Sequence, residues 1–369
     1  MLDRRRLLAA SLGAALWPQA GFAREDEWEH SQISRGDNGP KLYLGDGPYP
    51  ELLLEAREGD KLEEKKPAVA ALLAAGALAR AGKRLRPTLP VIRLEDRKHF
   101  AVPERALAAT VAQIQAALPR LQQRAAETAG LAFLPFERVS LLVLSNALLD
   151  NWQIENVEER FLRAERPARP GGRYYHALFQ IARRSDLDTQ GIYGNAEFRL
   201  GDIALSLYGN RRYRARALPR LSAAELAALF PALAGLPERD AKARIALALY
   251  VAGREGARVS EELRPGLMAL DLAVETGHCF CPCLDAADES SLRAMAASFR
   301  EPLLVILEGE RLGLRRQWQR SPYAATVSEN EYLIWWYHYF YSQVTDALIA
   351  QNLITLPAAG VATYLSRSS

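Results

Sequence analysis

Only three cysteines occur in 369 residues, and they are crowded at Cys279, Cys281 and Cys283. A disulfide-stapled fold needs paired, dispersed cysteines, so that class of architecture is closed to this chain. It must fold on its hydrophobic core alone. The length allows this, since 369 residues suffice for two domains and a well-buried interior. Hydrophobic residues at 49% and charged residues at 25% fit an ordinary globular composition.

The first twenty-three residues read as an address. Arg4, Arg5 and Arg6 make a basic start, and an apolar run from Leu7 to Leu16 follows, broken only by Ser11 and Gly13. Gly21-Phe22-Ala23 then places small residues where a signal peptidase cuts, with Ala23 last. This is the three-part pattern of an export signal, and the adjacent arginines indicate the twin-arginine route. The apolar run is too short for a spanning helix of about 20 residues. A cleaved product is expected in the periplasm or outside the cell, with membrane contact limited to transit of the signal.

Net charge is +3. Three Arg and one Asp leave with the signal, so the remainder carries about +1, which argues for a protein partner or small ligand rather than nucleic acid. Two basic clusters, Lys83-Arg84-Arg86 and Arg211-Arg212-Arg214-Arg216, read as solvated strand or loop edges. No later segment offers 18 consecutive apolar residues.

Along the chain, residues 24–48 are polar and Gly-rich and read as a flexible leader. Periodicity predicts helices over 65–81, 104–129, 222–234, 239–253, 266–277, 290–312 and 329–353. Pro119 is expected to kink the second of these, and Pro302 to break the sixth. Residues 136–161 read as a core helix emerging into solvent. Residues 172–217 carry the β character, with Gly191–Asn195 and Tyr208–Asn210 as near-identical turn signals. Thr355-Leu356-Pro357 and Gly360–Leu365 are expected to close the chain as a hairpin.

Two segments share a layout. In one, a helix ending at Gly82 leads to Leu89-Pro90-Val91-Ile92, then acidic Glu95-Asp96, then a helix. In the other, a helix ending at Gly277 leads to Cys281-Pro282-Cys283-Leu284, then Asp285 and Asp288, then a helix. A third echo runs from Ala347 to Ile354. Helix, turn, short strand, acidic cap, helix resembles the third helix and wing of winged helix-turn-helix regulators. The resemblance implies a helix that enters a DNA groove, yet Pro67–Ala81 offers only Arg80 near its end, and Gly266–Gly277 carries Asp271 and Glu275. Neither presents the side chains that read base edges.

His278, Cys279, Cys281 and Cys283 form the one metal-like cluster, with thiolates and an imidazole that suit Zn²⁺ or Cu(I). One-residue spacing is tighter than zinc sites use. In an extended strand the three thiols would share a face about 6.6 Å apart per step, near the upper limit for a disulfide. The alternative is that they are small buried hydrophobes. Trp335-Trp336-Tyr337-His338-Tyr339-Phe340-Tyr341 points all round a helix and is expected to be core, His338 included. Trp152, Tyr174 and Tyr175 are candidates to line a pocket with Glu155 and Asn156. No phosphate-binding glycine loop, nucleophile elbow or His-x-x-x-His pair is present.

The expected architecture is a mainly helical α+β protein with two winged-helix-like modules flanking a small antiparallel β region. Its divisions are the export signal 1–23, leader 24–48, first module 49–135, core helix and β region 136–217, and second module 218–369. The expected function is an exported, non-enzymatic binding or assembly protein of the cell envelope. The alternatives are a metal or redox protein built on the cysteine cluster and a cytoplasmic winged-helix regulator. No cofactor other than a metal is suggested.

Overall fold

The computed structural model describes residues 26–34, 38–40, 42–182, 192–200, 202–210, 217–357 and 360–367. The signal residues Arg4, Arg5, Arg6 and Ala23, and the Arg211–Arg216 cluster, lie outside them. Helix accounts for 53% and strand for 17%, so the chain is a mainly helical α+β protein.

The first half runs β1 (Asp26–Ile33), α1 (Tyr49–Glu58), α2 (Pro67–Ala74), a hairpin of β2 (Leu78–Ala81) and β3 (Arg84–Pro87), β4 (Val91–Ile92), and the long helix α3 (Glu104–Glu127). Then come α4 (Phe136–Leu141), a π-helical turn over Leu142–Ala147, α5 (Ile154–Asn156), a second π-helical turn over Val157–Leu162, a small hairpin of β5 (Ala168–Arg169) and β6 (Gly172–Arg173), and β7 (Tyr175–Ala182). The second half runs β8 (Tyr193–Leu200), β9 (Ile203–Asn210), α6 (Ala223–Leu229), α7 (Glu238–Glu255), α8 (Arg264–Ala269), β10 (Cys283–Leu284), α9 (Ala286–Arg320), α10 (Glu329–Ala350) and β11 (Val361–Arg367).

These halves repeat one design. β7 pairs antiparallel with β1 and parallel with β4; β11 pairs antiparallel with β9 and parallel with β10. The sheets are ordered β1-β7-β4 and β10-β11-β9-β8, so β8 is the extra strand of the second. The backbone bonds match as well: Leu178 N–H donates to Pro90 O at 3.0 Å and Leu365 N–H to Pro282 O at 2.8 Å.

Each half is locked by the same ion-pair clamp. Arg57, in the last turn of α1, donates to Val91 O at 2.8 Å and grips the Asp96 carboxylate with both terminal nitrogens. Arg254, in the last turn of α7, donates to Cys283 O at 3.2 Å and to Asp288 Oδ2 at 2.5 Å. Each Asp also closes a capping box, accepting from Arg93 N at 2.9 Å or Asp285 N at 3.0 Å. Both helices end two residues after the Arg at a left-handed glycine, Gly59 (φ 94°) and Gly256 (φ 66°).

The halves also cross over. The loop after α3 reaches the second clamp, where Gly130 N donates to Asp288 Oδ1 at 3.0 Å. The loop after α9 reaches the first, where Tyr323 OH donates to Val91 O at 3.2 Å and its ring lies 5.3 Å from the Arg57 guanidinium carbon. Thus α3 and α9 each start in their own half and finish on the other. Between them α10 is the spine: every residue from Tyr332 to Ser342 is buried. Burying Trp335 and Trp336, at about 200 Å² each, is worth about 5 kcal/mol apiece as an upper estimate.

Several expectations are corrected. Asp26–Ile33, read as leader, is a strand because all eight residues find partners on β7. The 65–81 helix stops at Ala74, since Gly76 (φ 68°) turns the chain into the β2–β3 hairpin. The 266–277 helix is only Arg264–Ala269, ended by left-handed Asp271 (φ 57°) before a turn bridged at Ala273 and Cys279. Neither Pro119 nor Pro302 interrupts its helix, and buried side chains lie on both sides of each proline.

The two Tyr-Gly-Asn segments are not turns. They are facing strand ends, with Gly194 opposite Gly209 and Asn195 opposite Tyr208. Gly209 is required because a Cβ there would lie 2.7 Å from Gly360 O and 2.9 Å from Val361 Cα. Gly360–Leu365 begins a single strand, not a hairpin, because its partner is the distant β9. The third echo is therefore the end of the second copy.

The polar cleft on the second sheet

In the first half, the face of β7 carrying Tyr175, Ala177 and Phe179 is closed by α10. Phe179 meets the rings of Trp335 at 5.3 Å and Tyr339 at 6.0 Å. In the second half the equivalent face is polar. The strand register sets it out in rows: Asn195 beside Tyr208, then Glu197 beside Ser206 beside Tyr364, then Arg199 beside Ala204 beside Ser366. Period-two alternation sends Leu205 and Leu365 the other way, into the second core.

The inner end of this face meets the π-helical turn after α4. Ser145 Oγ lies 2.6 Å from Tyr208 OH and 2.5 Å from Thr345 Oγ1. Asn146 and Asn195 exchange side-chain amide bonds at 3.1 and 2.9 Å, and Tyr364 OH donates to Asn195 Oδ1 at 3.0 Å. Asn195 also reaches buried Asp150 at 3.4 Å. A π-helical turn shifts the side-chain phase by one residue, which is how successive Ser145 and Asn146 both come to serve this network. Burial pushes the Tyr364 phenol up to about 12, against hydrogen bonds from Asn146 and Ser206. Burial also raises Tyr208 and Tyr337, with the Asp150 charge adding to it. Tyr364 and Tyr337 donate, to Asn195 Oδ1 and to Leu149 O.

Outward, the face opens into a cleft of about 310 Å³. Glu197, Arg199, Ser206, Tyr364 and Arg367 form its sheet wall, and Glu289 and Arg293 of α9 face them, with Trp152 also in the lining. Most of the wall charges already have partners: Glu197 with Arg199 at 3.0 Å, Arg367 with Asp202 at 2.8 Å, Arg293 with Glu155 at 3.9 Å. These pairs are largely exposed, hence weak and easily rearranged. Glu289 is half-buried. Burial, with the nearby charges of Glu197 and Asp285, lifts its carboxyl above the usual range despite Arg293.

The sequence candidates fall as follows. Trp152 lines the cleft, and Glu155 touches its Arg293 wall. Asn156 is turned to Trp152 O and Gln153 Oε1. Tyr175 opens β7 of the other sheet, and Tyr174, just before it, donates its hydroxyl to Pro170 O at 2.9 Å; neither joins them. His338 is a core residue, its Nδ1 3.0 Å from Ile334 O. Lys83 and Arg84 stand exposed on the β2–β3 hairpin, while Arg86 donates to the Arg57 carbonyl at 2.9 Å, capping α1.

The cysteine cluster is not assembled as a metal centre. Cys279, Cys281 and Cys283 are free and buried, and His278 is exposed. Cys281 Sγ faces Thr363 O at 3.5 Å and Cys283 Sγ faces Leu249 O at 3.5 Å. Hydrogen bonds with the neighbouring thiols, together with burial, push the Cys281 thiol well up. Among the described residues, no group of three or more His, Cys, Asp or Glu side chains is placed to hold a metal. The thiols sit in the second hydrophobic core with Leu267, Leu272 and Leu365.

Sequence reasoning missed Ser145, Asn146, Asp150, Asn195, Tyr364 and Glu289, because their partners come from strands and helices far apart in the chain. Comparison with protein-family models, with curated proteins and with solved structures returned no match.

Proposed function

We propose that this chain is an exported binding protein that holds a small polar ligand in the cleft between the second sheet and α9. One observation carries the reading. The fold occurs twice, and features needed to hold it together, such as the arginine clamps, occur in both copies. Among the described residues, the polar face of this kind occurs in one copy, where it opens into the cleft. In the other copy the same face packs Phe179 against aromatic residues, so the architecture itself does not require a polar face there. Polar groups converging on a concave site are the usual mark of a ligand pocket. The order α1, α2 and the β2–β3 hairpin supports the winged-helix likeness as well, with the fold serving as a scaffold for binding.

Export is supported by the basic, apolar and small-residue succession ending at Ala23. Among the described residues no helix is long and apolar enough to cross a membrane. The test is a thermal-shift screen of polar metabolites against wild type and Tyr364→Phe, alongside N-terminal sequencing of the protein from fractionated cells. A stabilising ligand whose effect is weakened in the variant, and a product starting near Arg24, are expected. No stabilisation by any polar compound, or a full-length cytoplasmic product, would overturn the corresponding half of the reading.

A further inference from the structure

We propose that the ligand is a small dipolar molecule of the amino-acid or short-peptide class, its ammonium group held between Glu289 and Glu197 and its carboxylate towards Arg199 and Arg367. The inference rests on the binding reading above and deepens it.

Charge is ordered along the cleft. The register puts Glu197 in the inner row with Ser206 and Tyr364, and Arg199 in the outer row with Ala204 and Ser366, one residue from Arg367. Rows two residues apart on a strand are separated by about 6.6 Å. Behind the inner row lies Asp150, buried, and across from it Glu289. The carboxylates thus gather on the inner side, where Arg293, one turn along α9 from Glu289, is taken up by Glu155 at 3.9 Å, and Arg199 and Arg367 stand at the outer end.

Glu289 is the informative residue. It lies on the first turn of α9, where Asp285 already accepts the amides of Ala287 and Asp288, so it has no capping role. Its carboxylate makes no hydrogen bond or ion pair among the described residues, although it is half-buried. A half-buried carboxylate without a partner is costly, and an incoming ammonium supplies the missing donors. At the outer end, Arg199 and Arg367 can turn from their exposed partners Glu197 and Asp202 to a ligand carboxylate, which releases Glu197 to face the ammonium. Ser206 in the inner row, Ser366 in the outer row and Asn151 add hydrogen-bonding groups to the lining. The volume, about ten waters at roughly 30 Å³ each, matches a single amino acid or a compact dipeptide.

The experiment is isothermal titration of the full mature chain with a panel of L-amino acids and dipeptides. Glucose and maltose serve as uncharged probes, and methylammonium and acetate as single-charge probes. Each is repeated with Glu289→Gln and Arg199→Gln, and far-ultraviolet circular dichroism verifies the fold of both variants. The expected result is binding of at least one dipolar compound, weakened at least tenfold by either variant, with neither single-charge probe matching it. Sugar binding unaffected by Glu289→Gln would overturn the ligand class while leaving the binding reading intact. Dipolar binding equally strong in both variants would overturn the proposed placement. Absence of binding across the panel would overturn the dipolar class, and the wider metabolite screen then decides the binding reading separately.

Discussion

Removing the clamp carboxylate, by Asp288→Ala or by Asp96→Ala, should cost nearly the same stability in the two halves. Asp288 accepts from Arg254, from Asp285 N and from Gly130 N, and its side chain is 3% exposed. Asp96 accepts from Arg57 through two nitrogens and from Arg93 N, at 8% exposure. Each hydrogen bond to a charged group is worth about 1.5–3 kcal/mol, but the three share one carboxylate and do not add. Breaking a buried pair by deleting one partner costs about 3–5 kcal/mol; Asp96→Ala takes the one ion-pair partner of Arg57 among the described residues, whereas Arg254 keeps Asp285, which places Asp288→Ala at the lower end. That range is expected for each variant, from urea unfolding followed by tryptophan fluorescence, with the denaturant slope unchanged. The acid side gives a second check. Burial works to raise the Asp96 pKa, but the bonds from Arg57 and Arg93 N outweigh it and hold the carboxyl below its ordinary value. Its stabilisation is therefore present above the unfolded pKa of about 3.8 and disappears as pH falls through the folded one. The gap between wild type and Asp96→Ala should close in strong acid. A loss below about 1 kcal/mol in either variant, or a large loss in one only, would refute the claim that the clamps are equivalent.

Glu331 gives the opposite pH sign. Burial lifts its carboxyl to about 7 in spite of its Arg169 partner, so the stability it contributes is present below pH about 4.5 and is lost as pH rises through 7. At about 1.4 kcal/mol per unit this amounts to about 3 kcal/mol, and wild type should lose that much relative to Glu331→Gln between pH 4.5 and 8 in urea titrations. Equal slopes would contradict it. Gly209→Ala should lower stability by about 1–3 kcal/mol, because the added Cβ meets Gly360 O and Val361 Cα, and a melt indistinguishable from wild type would argue against that packing. Cys279, Cys281 and Cys283 should resist a thiol reagent in native protein and react promptly once unfolded. Fast labelling of folded protein would contradict their burial.

Local signals read well from this sequence. The helix expected from 222 starts there as α6, and Ser222 and Glu225 close a capping box, with Glu225 N donating to Ser222 Oγ at 3.3 Å. The aromatic run is the spine of the core, and α3 and α7 fall where periodicity places them. The Pro90 and Pro282 segments align as the layout implies. The full duplication was also written in the chain, in Ala56-Arg57-Glu58-Gly59 against Gly253-Arg254-Glu255-Gly256, but four-residue likenesses acquire meaning only once both arginines are seen on matching carbonyls. The cleft was not legible. Asn195, Ser206 and Tyr364 become neighbours through strand pairing across 169 positions, and nothing in local pattern encodes that register. Strand β1 was hidden for a related reason, since its polar residues become a strand only beside β7.

The most direct test of the account is a high-resolution crystal structure of the mature protein isolated from its native host and examined for electron density in the cleft. The account expects a small molecule seated between Glu289 and Arg199, with Glu197 turned away from Arg199. A cleft holding only solvent, with a ligand bound elsewhere on the protein, would contradict it.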